Sequence, residues 1–129
     1  MPLVPPRIDS VTLAVADLAR STAFYRDVMG FELQSQSEAV SVFALGAVSL
    51  DLIDRSVLLG ETGLPDFPPA PGPVTLVVSV SRDEVDEYLD ALAQAGVRII
   101  APPQDTALGP RIGYAADPDG HIWEIGHFG

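Results

Sequence analysis

The sequence of 129 residues predicts an α+β fold made of two tandem β-α-β-β-β modules in one domain. The first observation is a repeated plan, because the strand-like run Val-Thr-Leu at 11–13 recurs at 74–76. The second is that a predicted helix ends at Gly30 in the first half and at Gly96 in the second. Such self-similarity indicates a duplicated unit. We therefore expect module 1 over residues 8–54, a connection over 55–73 and module 2 over 74–128.

The first module begins with an apolar, β-branched strand over 8–15. Asp17 is a suitable N-cap for a helix over 18–29, and Gly30 supplies the left-handed residue that commonly follows a helix. The apolar face of this helix is predicted from two pairs spaced four apart, Phe24 with Val28 and Tyr25 with Met29. Three strands should follow, over 31–37, 40–45 and 48–53, with the last turn at Gly46-Ala47.

The connection contains five prolines and three glycines, which predict no regular element over 55–73. Module 2 then repeats the plan with a strand over 74–80. Ser81 and Glu84 have the spacing of a capping box, and the helix that follows should bury Val85, Tyr88, Leu89 and Leu92. Strands are expected near 97–101, 112–115 and 122–126, with 104–113 as a mobile loop that carries Arg111.

Residues 117–120, Asp-Pro-Asp-Gly, have the chemistry of a tight turn between two of these strands. Glu124 lies on the second strand and interrupts the apolar series Ile122, Trp123 and Ile125. A charge at such a position is expected to have a partner or a function. One reading pairs Glu124 with Arg111 or Arg98, or with the hydroxyls of Ser10 and Thr75. The other makes it a polar anchor or a general base in an apolar cleft.

Composition narrows the functional classes. The chain has no cysteine and no lysine, which excludes disulfides, zinc–thiolate sites, thiol nucleophiles and Schiff-base lysines. The net charge is −11 and the seven basic residues are scattered arginines, so nucleic acid is not an expected partner. The acidity either keeps the surface soluble or, where it lines a pocket, favours a cationic ligand. No apolar run approaches the roughly 18 residues of a membrane span, and we expect a cytoplasmic protein.

Three segments resemble the vicinal oxygen chelate superfamily, whose members include glyoxalase I, extradiol dioxygenases, fosfomycin-resistance transferases and bleomycin-binding resistance proteins. They are residues 11–31, the Ala-Leu-Ala-Gln-Ala-Gly-Val run at 91–97, and the Asp-Pro-Asp-Gly-x-x-x-Glu pattern at 117–124. The resemblance implies that two modules with curved mixed sheets enclose a cleft, and that the protein forms a homodimer.

In metal-dependent members of that superfamily, the resemblance implies a divalent cation held from four strands. The first ligand position, usually histidine, falls at Ser10, and its counterpart in module 2 falls at Thr75. The late glutamate is kept as Glu124, and the remaining position is Leu50 or Asp51.

The residue types at these positions weaken a metal site. A transition metal wants three or more imidazole or carboxylate ligands. The only histidines, His121 and His127, share the strand of Glu124 and should alternate to its other face, outward from the sheet. No cofactor is therefore expected, although a weak divalent site from Glu124 and Asp51 is one alternative.

The leading hypothesis is a metal-independent small-molecule binder of the bleomycin-resistance type, whose ligand is apolar or cationic. Glu124 is the candidate catalytic or anchoring residue. The alternatives are a divalent-metal-dependent lyase, isomerase or dioxygenase, a metal-free relative that uses Glu124 as general base, and a structural dimer module with a filled cleft. The candidate ligand-binding residues are Ser10, Phe43, Thr75, Arg111, Tyr114, Gly126 and Phe128.

Overall fold

The computed structural model describes residues 3–66 and 74–128, and the chain divides into two compact units, Met1–Asp66 and Phe67–Gly129. The first unit contains four strands and two helices, and the first helix continues into a π-helical turn. In chain order these are β1 Ser10–Val15, α1 Leu18–Ala23, the π-helical turn Phe24–Val28, β2 Glu32–Gln36, β3 Val40–Leu45, β4 Val48–Asp54 and α2 Arg55–Thr62. The second unit contains β5 Thr75–Ser79, α3 Arg82–Gln94, β6 Arg98–Asp105, β7 Arg111–Ala116 and β8 Ile122–His127.

Each unit has one four-stranded mixed sheet, and the strand orders are β1-β4-β3-β2 and β5-β8-β7-β6. The first and last strands of a unit pair in parallel, and the remaining pairs are antiparallel. The α+β prediction with a duplicated β-α-β-β-β plan is thus confirmed. No helix of the described residues is long and apolar enough to cross a membrane.

The core of the first unit lies between its sheet and the α1 segment. In the sheet, Val11, Leu50 and Phe43 are in register across β1, β4 and β3. Phe43 is completely buried, and its ring centroid lies 6.0 Å from that of the buried Tyr25. One row further along, the hydroxyl groups of Ser41 and Thr22 are 2.7 Å apart, which joins β3 to α1. These contacts identify the face of the first sheet that packs on the helix.

The core of the second unit packs α3 on its sheet through Val85, Leu89, Ala115 and Ile125. Helix and sheet approach most closely at Gly113. A Cβ atom at this position would lie 2.1 Å from Cδ1 of Leu89 and 3.2 Å from the carbonyl oxygen of Ala101. Leu92 packs against this cluster as predicted. Tyr88 was predicted on the same buried face, and that is wrong, because it is 49% exposed.

Local predictions held where a side chain bonds the backbone at a chain reversal. The Ser81 backbone N–H donates to the Glu84 carboxylate at 3.0 Å, which completes the capping box of α3. The pKa of Glu84 is lowered by its bonds to the backbone and side chain of Ser81. Gly30 and Gly96 both have positive φ after their helices. At the predicted turn, the Gly120 N–H donates to the Asp117 carbonyl at 3.0 Å, which closes the hairpin of β7 and β8.

Three local predictions were wrong. Residues 55–62 form α2, because the Asp54 side chain caps it at Ser56 N and the first proline comes only at position 65. Residues 67–73 of the predicted connection lie outside the described residues. The α1 segment ends in a π-helical turn, in which Met29 N donates to the Phe24 carbonyl, so Val28 is exposed while Tyr25 is buried. The predicted loop over 104–113 shrinks to residues 106–110, because β6 reaches Asp105 and β7 begins at Arg111.

The close approach at Gly113 predicts a cost for any side chain there. We expect Gly113→Ala to lower the free energy of unfolding by about 1–3 kcal/mol, since a methyl group would overpack a full core. Gly60→Ala is the matched control: Gly60 lies in α2 with nothing within 4 Å of an added Cβ. This control should be neutral or stabilising by up to about 1 kcal/mol. Urea denaturation measures both variants, and equal stability of Gly113→Ala and wild type would contradict the packing at Leu89.

Candidate functional site

Glu124 lies on the face of the second sheet that is opposite α3. On β8 the flanking residues Trp123 and Ile125 are buried, and Ile125 belongs to the core cluster under α3. Because side chains alternate along a strand, Glu124 points to the other side. Its register partners are Val77 on β5 and Tyr114 on β7. The Glu124 face is named here for the residues that share this side of the three strands: Thr75, Val77, Ser79, Ile112, Tyr114, Ala116, Ile122, Glu124 and Gly126.

The polar partner of Glu124 is the hydroxyl group of Tyr114. The hydrogen bond that this hydroxyl donates to the carboxylate raises the pKa of Tyr114, and burial and the negative charge of Glu124 act in the same direction. Tyr114 therefore stays a neutral donor at physiological pH. Neither Arg98 nor Arg111 forms an ion pair with Glu124 in the described parts of the chain, which corrects the arginine partners considered from the sequence.

Gly126 and Phe128 extend this face by one row. A Cβ on Gly126 would lie 2.7 Å from Cγ2 of Ile112 and 2.8 Å from Cζ of Phe128. The Phe128 ring therefore occupies the space beside Gly126 where a side chain would otherwise stand. Phe128 remains 47% exposed, so one part of its surface contacts the sheet and the other contacts solvent. The structure brings Gly126, Phe128 and Tyr114 together around Glu124, as expected for cleft-lining residues.

Thr75 lies on the same face but not beside Glu124. It is in register with Ile122, whereas the β5 residue in register with Glu124 is Val77. A strand rises about 3.3 Å per residue, so the offset of two residues amounts to about 6.6 Å. The hydroxyl group of Thr75 therefore does not occupy the position directly opposite the carboxylate.

In the first unit the structure distinguishes the two alternatives on β4. Leu50 is 1% exposed and in register with Phe43 on the α1 side, so it cannot be a ligand position. Asp51 lies on the opposite face, where its Oδ1 accepts a hydrogen bond from Ser49 Oγ at 2.8 Å. Ser10 is exposed on that face and in register with Ser49. Phe43 is a core residue of the α1 side, so its prediction as a ligand-lining residue is wrong.

Arg111 serves a structural ion-pair network. Its Nε and Nη2 atoms donate to the two carboxylate oxygens of Asp86 at 2.8 and 3.0 Å, and Nη1 donates to Asp105 at 3.3 Å. The hydrogen bond from Arg111 lowers the pKa of Asp86. Arg82 also pairs with Asp105. These contacts fasten the start of β7 to α3, which corrects the expectation of a loop arginine available to an anionic ligand.

The two histidines make bonds within their own unit, in contrast to the outward orientation expected from the sequence. His127 Nδ1 donates to the Val80 carbonyl at 3.1 Å. His121 Nδ1 donates to Asp117 Oδ2 at 2.8 Å, and the carboxylate of Asp117 is completely buried. Burial disfavours the protonated His121 ring, but the hydrogen bond to Asp117 and the charges of Asp117 and Asp119 outweigh it. The pKa of His121 is therefore raised above 6.5.

The sequence did not single out the cluster of Asp117, Asp119 and His121, whose ligand-type atoms lie within 4.8 Å of one another. Both oxygens of Asp117 already accept hydrogen bonds: Oδ1 from the N–H groups of Asp119 and His121, and Oδ2 from the His121 ring. The cluster thus stabilises the β7–β8 turn. The signal that could have found it is the Asp-x-Asp-x-His spacing across that turn.

The donor set at the superfamily's metal positions does not fit a transition metal. Ser10 and Thr75 offer neutral hydroxyl groups, and Leu50 offers none. Glu124 and Asp51 are carboxylates, which alone suit hard cations with oxygen ligands better than zinc, nickel or iron. Glu124 is not part of the acid–histidine cluster found in the described residues.

Comparisons with known proteins place this geometry in a family context. Residues 7–125 match the family model of the Glyoxalase/Bleomycin resistance protein/Dioxygenase superfamily. The Virulence protein STM3117 of Salmonella typhimurium is 26% identical, over 98% of this chain and 87% of that protein. The Metallothiol transferase FosB of Lysinibacillus sphaericus is 28% identical, over 92% of this chain and 79% of that protein. The crystal structure of a glyoxalase-related enzyme from Fulvimarina pelagi superimposes with a TM-score of 0.87 at 27% identity, covering 96% and 89% of the two chains.

The pairing of His121 with Asp117 predicts a pH-dependent contribution to stability. A histidine whose pKa is raised on folding stabilises the folded state fully below its unfolded pKa of about 6.5, and this contribution is lost as the pH rises through the folded value. The stability difference between wild type and His121→Gln should therefore be larger at pH 5.5 than at pH 9. Denaturation at both pH values, with an NMR titration of the His121 ring, measures this. A ring that titrates at or below 6.5 would contradict it.

Proposed function

Because the chain belongs to the Glyoxalase/Bleomycin resistance protein/Dioxygenase superfamily, we propose that it is a small-molecule-binding protein that works without a complete transition-metal site. Glu124 is its polar anchor and Tyr114 orients the carboxylate. The observation that carries the proposal is the position of this carboxylate on a sheet face, opposite the core helix, with a neutral hydroxyl group as its partner. A carboxylate that an arginine held in place would serve the fold; this one is held in a way that a ligand can replace.

The surroundings of Glu124 suit a small ligand. Small-molecule sites are mostly apolar surfaces with a few polar groups that fix orientation. Val77 is in register with Glu124 and is 54% exposed, and the Phe128 ring stands one row away. Ile112 completes the apolar surface beside Gly126. The polar anchor and the apolar contacts thus belong to neighbouring strands of one rigid sheet.

The second candidate is a divalent-metal-dependent enzyme, a lyase, isomerase or dioxygenase. It is favoured by the printed names of relatives, a Metallothiol transferase and a glyoxalase-related enzyme. On this reading Glu124 and Asp51 would hold the cation, which would supply Lewis acidity. The reading predicts turnover that depends on an added divalent cation and is lost in Glu124→Gln.

A metal-free enzyme that uses Glu124 as general base is a third reading. Tyr114 would then keep the carboxylate oriented through the hydrogen bond that it donates. Such an enzyme should show a pH–rate profile that follows a single carboxyl group. The single-domain organisation, the cleft between modules, the homodimer and the cytoplasmic location stay predictions from the sequence, and light scattering tests the dimer.

The proposal predicts that Glu124 controls ligand binding. In a thermal-shift screen of a small-molecule library, compounds that stabilise wild type should bind Glu124→Ala at least about tenfold more weakly, because a hydrogen bond to a charged group is worth about 1.5–3 kcal/mol. Glu87→Ala is the matched control, since Glu87 is an exposed carboxylate on α3. Hits that bind wild type and Glu124→Ala equally would place the site elsewhere. No hits at all would favour a structural module.

A further inference from the structure

We propose that the Glu124 face takes an organic cation, and specifically a methyl-substituted ammonium group. The inference rests on the proposed function and names the chemical class of its ligand. Three features of the face lead to it: a carboxylate with a neutral partner, two aromatic rings beside that carboxylate, and exposed aliphatic side chains. Each feature is unusual next to the others, and together they describe the surface that a soft cation prefers.

The first feature is the uncompensated charge of Glu124. Its partner is the Tyr114 hydroxyl group, which stays neutral because its pKa is raised. The arginines nearest in the fold are used elsewhere or stand apart. Arg111 is paired with Asp86 and Asp105, and Arg98 begins β6, which the order β5-β8-β7-β6 separates from β8 by β7. A ligand cation would therefore be the counter-charge that this face lacks among the described residues.

The second feature is the pair of aromatic rings. Tyr114 stands directly across from Glu124 on β7. Phe128 covers Gly126, which lies two residues from Glu124, or about 6.6 Å along the strand. A cation within about 6 Å of a ring centroid is attracted by the ring's quadrupole. A cation seated on Glu124 is thus within reach of both rings, and Phe128 keeps 47% of its surface available for that contact.

The third feature is the aliphatic surface around the charge. Val77 is 54% exposed in register with Glu124, and Ile112 borders Gly126. A bare ammonium ion or a metal ion would lose its hydration shell to these groups without replacement. Methyl groups on the nitrogen are weakly hydrated, and they gain from apolar contact as their surface is removed from water. The face therefore favours a substituted ammonium over an inorganic cation.

The first unit offers an internal contrast. The corresponding row of its sheet consists of Thr12, Asp51 and Val42, which are in register across β1, β4 and β3. Here the carboxylate accepts from Ser49, and the row carries no aromatic residue. The nearest aromatic residue on β3, Phe43, is buried on the opposite face. Charge is thus common to the two modules, whereas the aromatic neighbours of the carboxylate belong to the second.

The test compares choline with 3,3-dimethylbutan-1-ol, in which a carbon atom replaces the nitrogen and the shape is kept. NMR chemical-shift titrations of the full chain should show at least tenfold tighter binding of choline. Glu124→Gln and Phe128→Leu should each weaken choline binding about tenfold or more. Glu87→Gln and Tyr88→Leu, which alter an exposed carboxylate and an exposed ring on α3, should leave it unchanged. Raising the salt concentration should weaken the choline complex and leave that of the alcohol unaffected.

Three results would overturn the inference: equal binding of the two compounds, choline binding that survives Glu124→Gln, or no choline binding at all. If neutral library compounds still bind wild type and lose affinity in Glu124→Ala, the proposed function stands and only the cationic class is wrong. If no compound of either charge binds, the proposed function fails as well. Thermal unfolding of each variant confirms that it is folded before its binding is compared.

Discussion

Strand alternation, anchored by the packing of α3 on the second sheet, is the constraint on which the candidate site depends. Gly113 leaves no room for a Cβ because Leu89 fills that space, so the register of β7 against the helix is fixed. Ala115 and Ile125 then follow into the same core. A slip of one residue would exchange the two faces of the strand. With the core face fixed, Tyr114 and Glu124 must point to the other side and meet there.

The duplicated plan explains why the two modules are similar in position and different in chemistry. In both sheets the first, fourth and third strands of the module form one continuous row at the third residue of the first strand. Asp51 occupies this row in one module and Glu124 in the other. The backbone therefore repeats the location of a carboxylate, while the side chains around it decide its use. A serine hydroxyl holds Asp51, and a tyrosine hydroxyl with a neighbouring phenylalanine surrounds Glu124.

Most of the fold could be predicted from local sequence because turns and caps are chosen by single residues. The Asp117–Gly120 turn, the Ser81–Glu84 capping box and the bounds of β3 are of this kind. The site could be predicted only as far as alternation reaches, which placed Gly126 and Phe128 with Glu124. Phe43 and Arg111 were misplaced because burial and ion pairing depend on α1 and α3, which are distant in sequence. The helix α2 was missed because glycine and proline counts over a long segment hid its proline-free first part.

The central claim is that Glu124 anchors a small molecule in a site that lacks the ligands for a transition metal. The most direct test is the metal content of the protein purified without chelator, together with its melting temperature across added divalent cations. The account predicts no stoichiometric metal and no rise in melting temperature with manganese, iron, nickel or zinc. A nearly stoichiometric metal whose binding raises the melting temperature, and which is lost in Glu124→Ala, would contradict it and would make Glu124 a metal ligand.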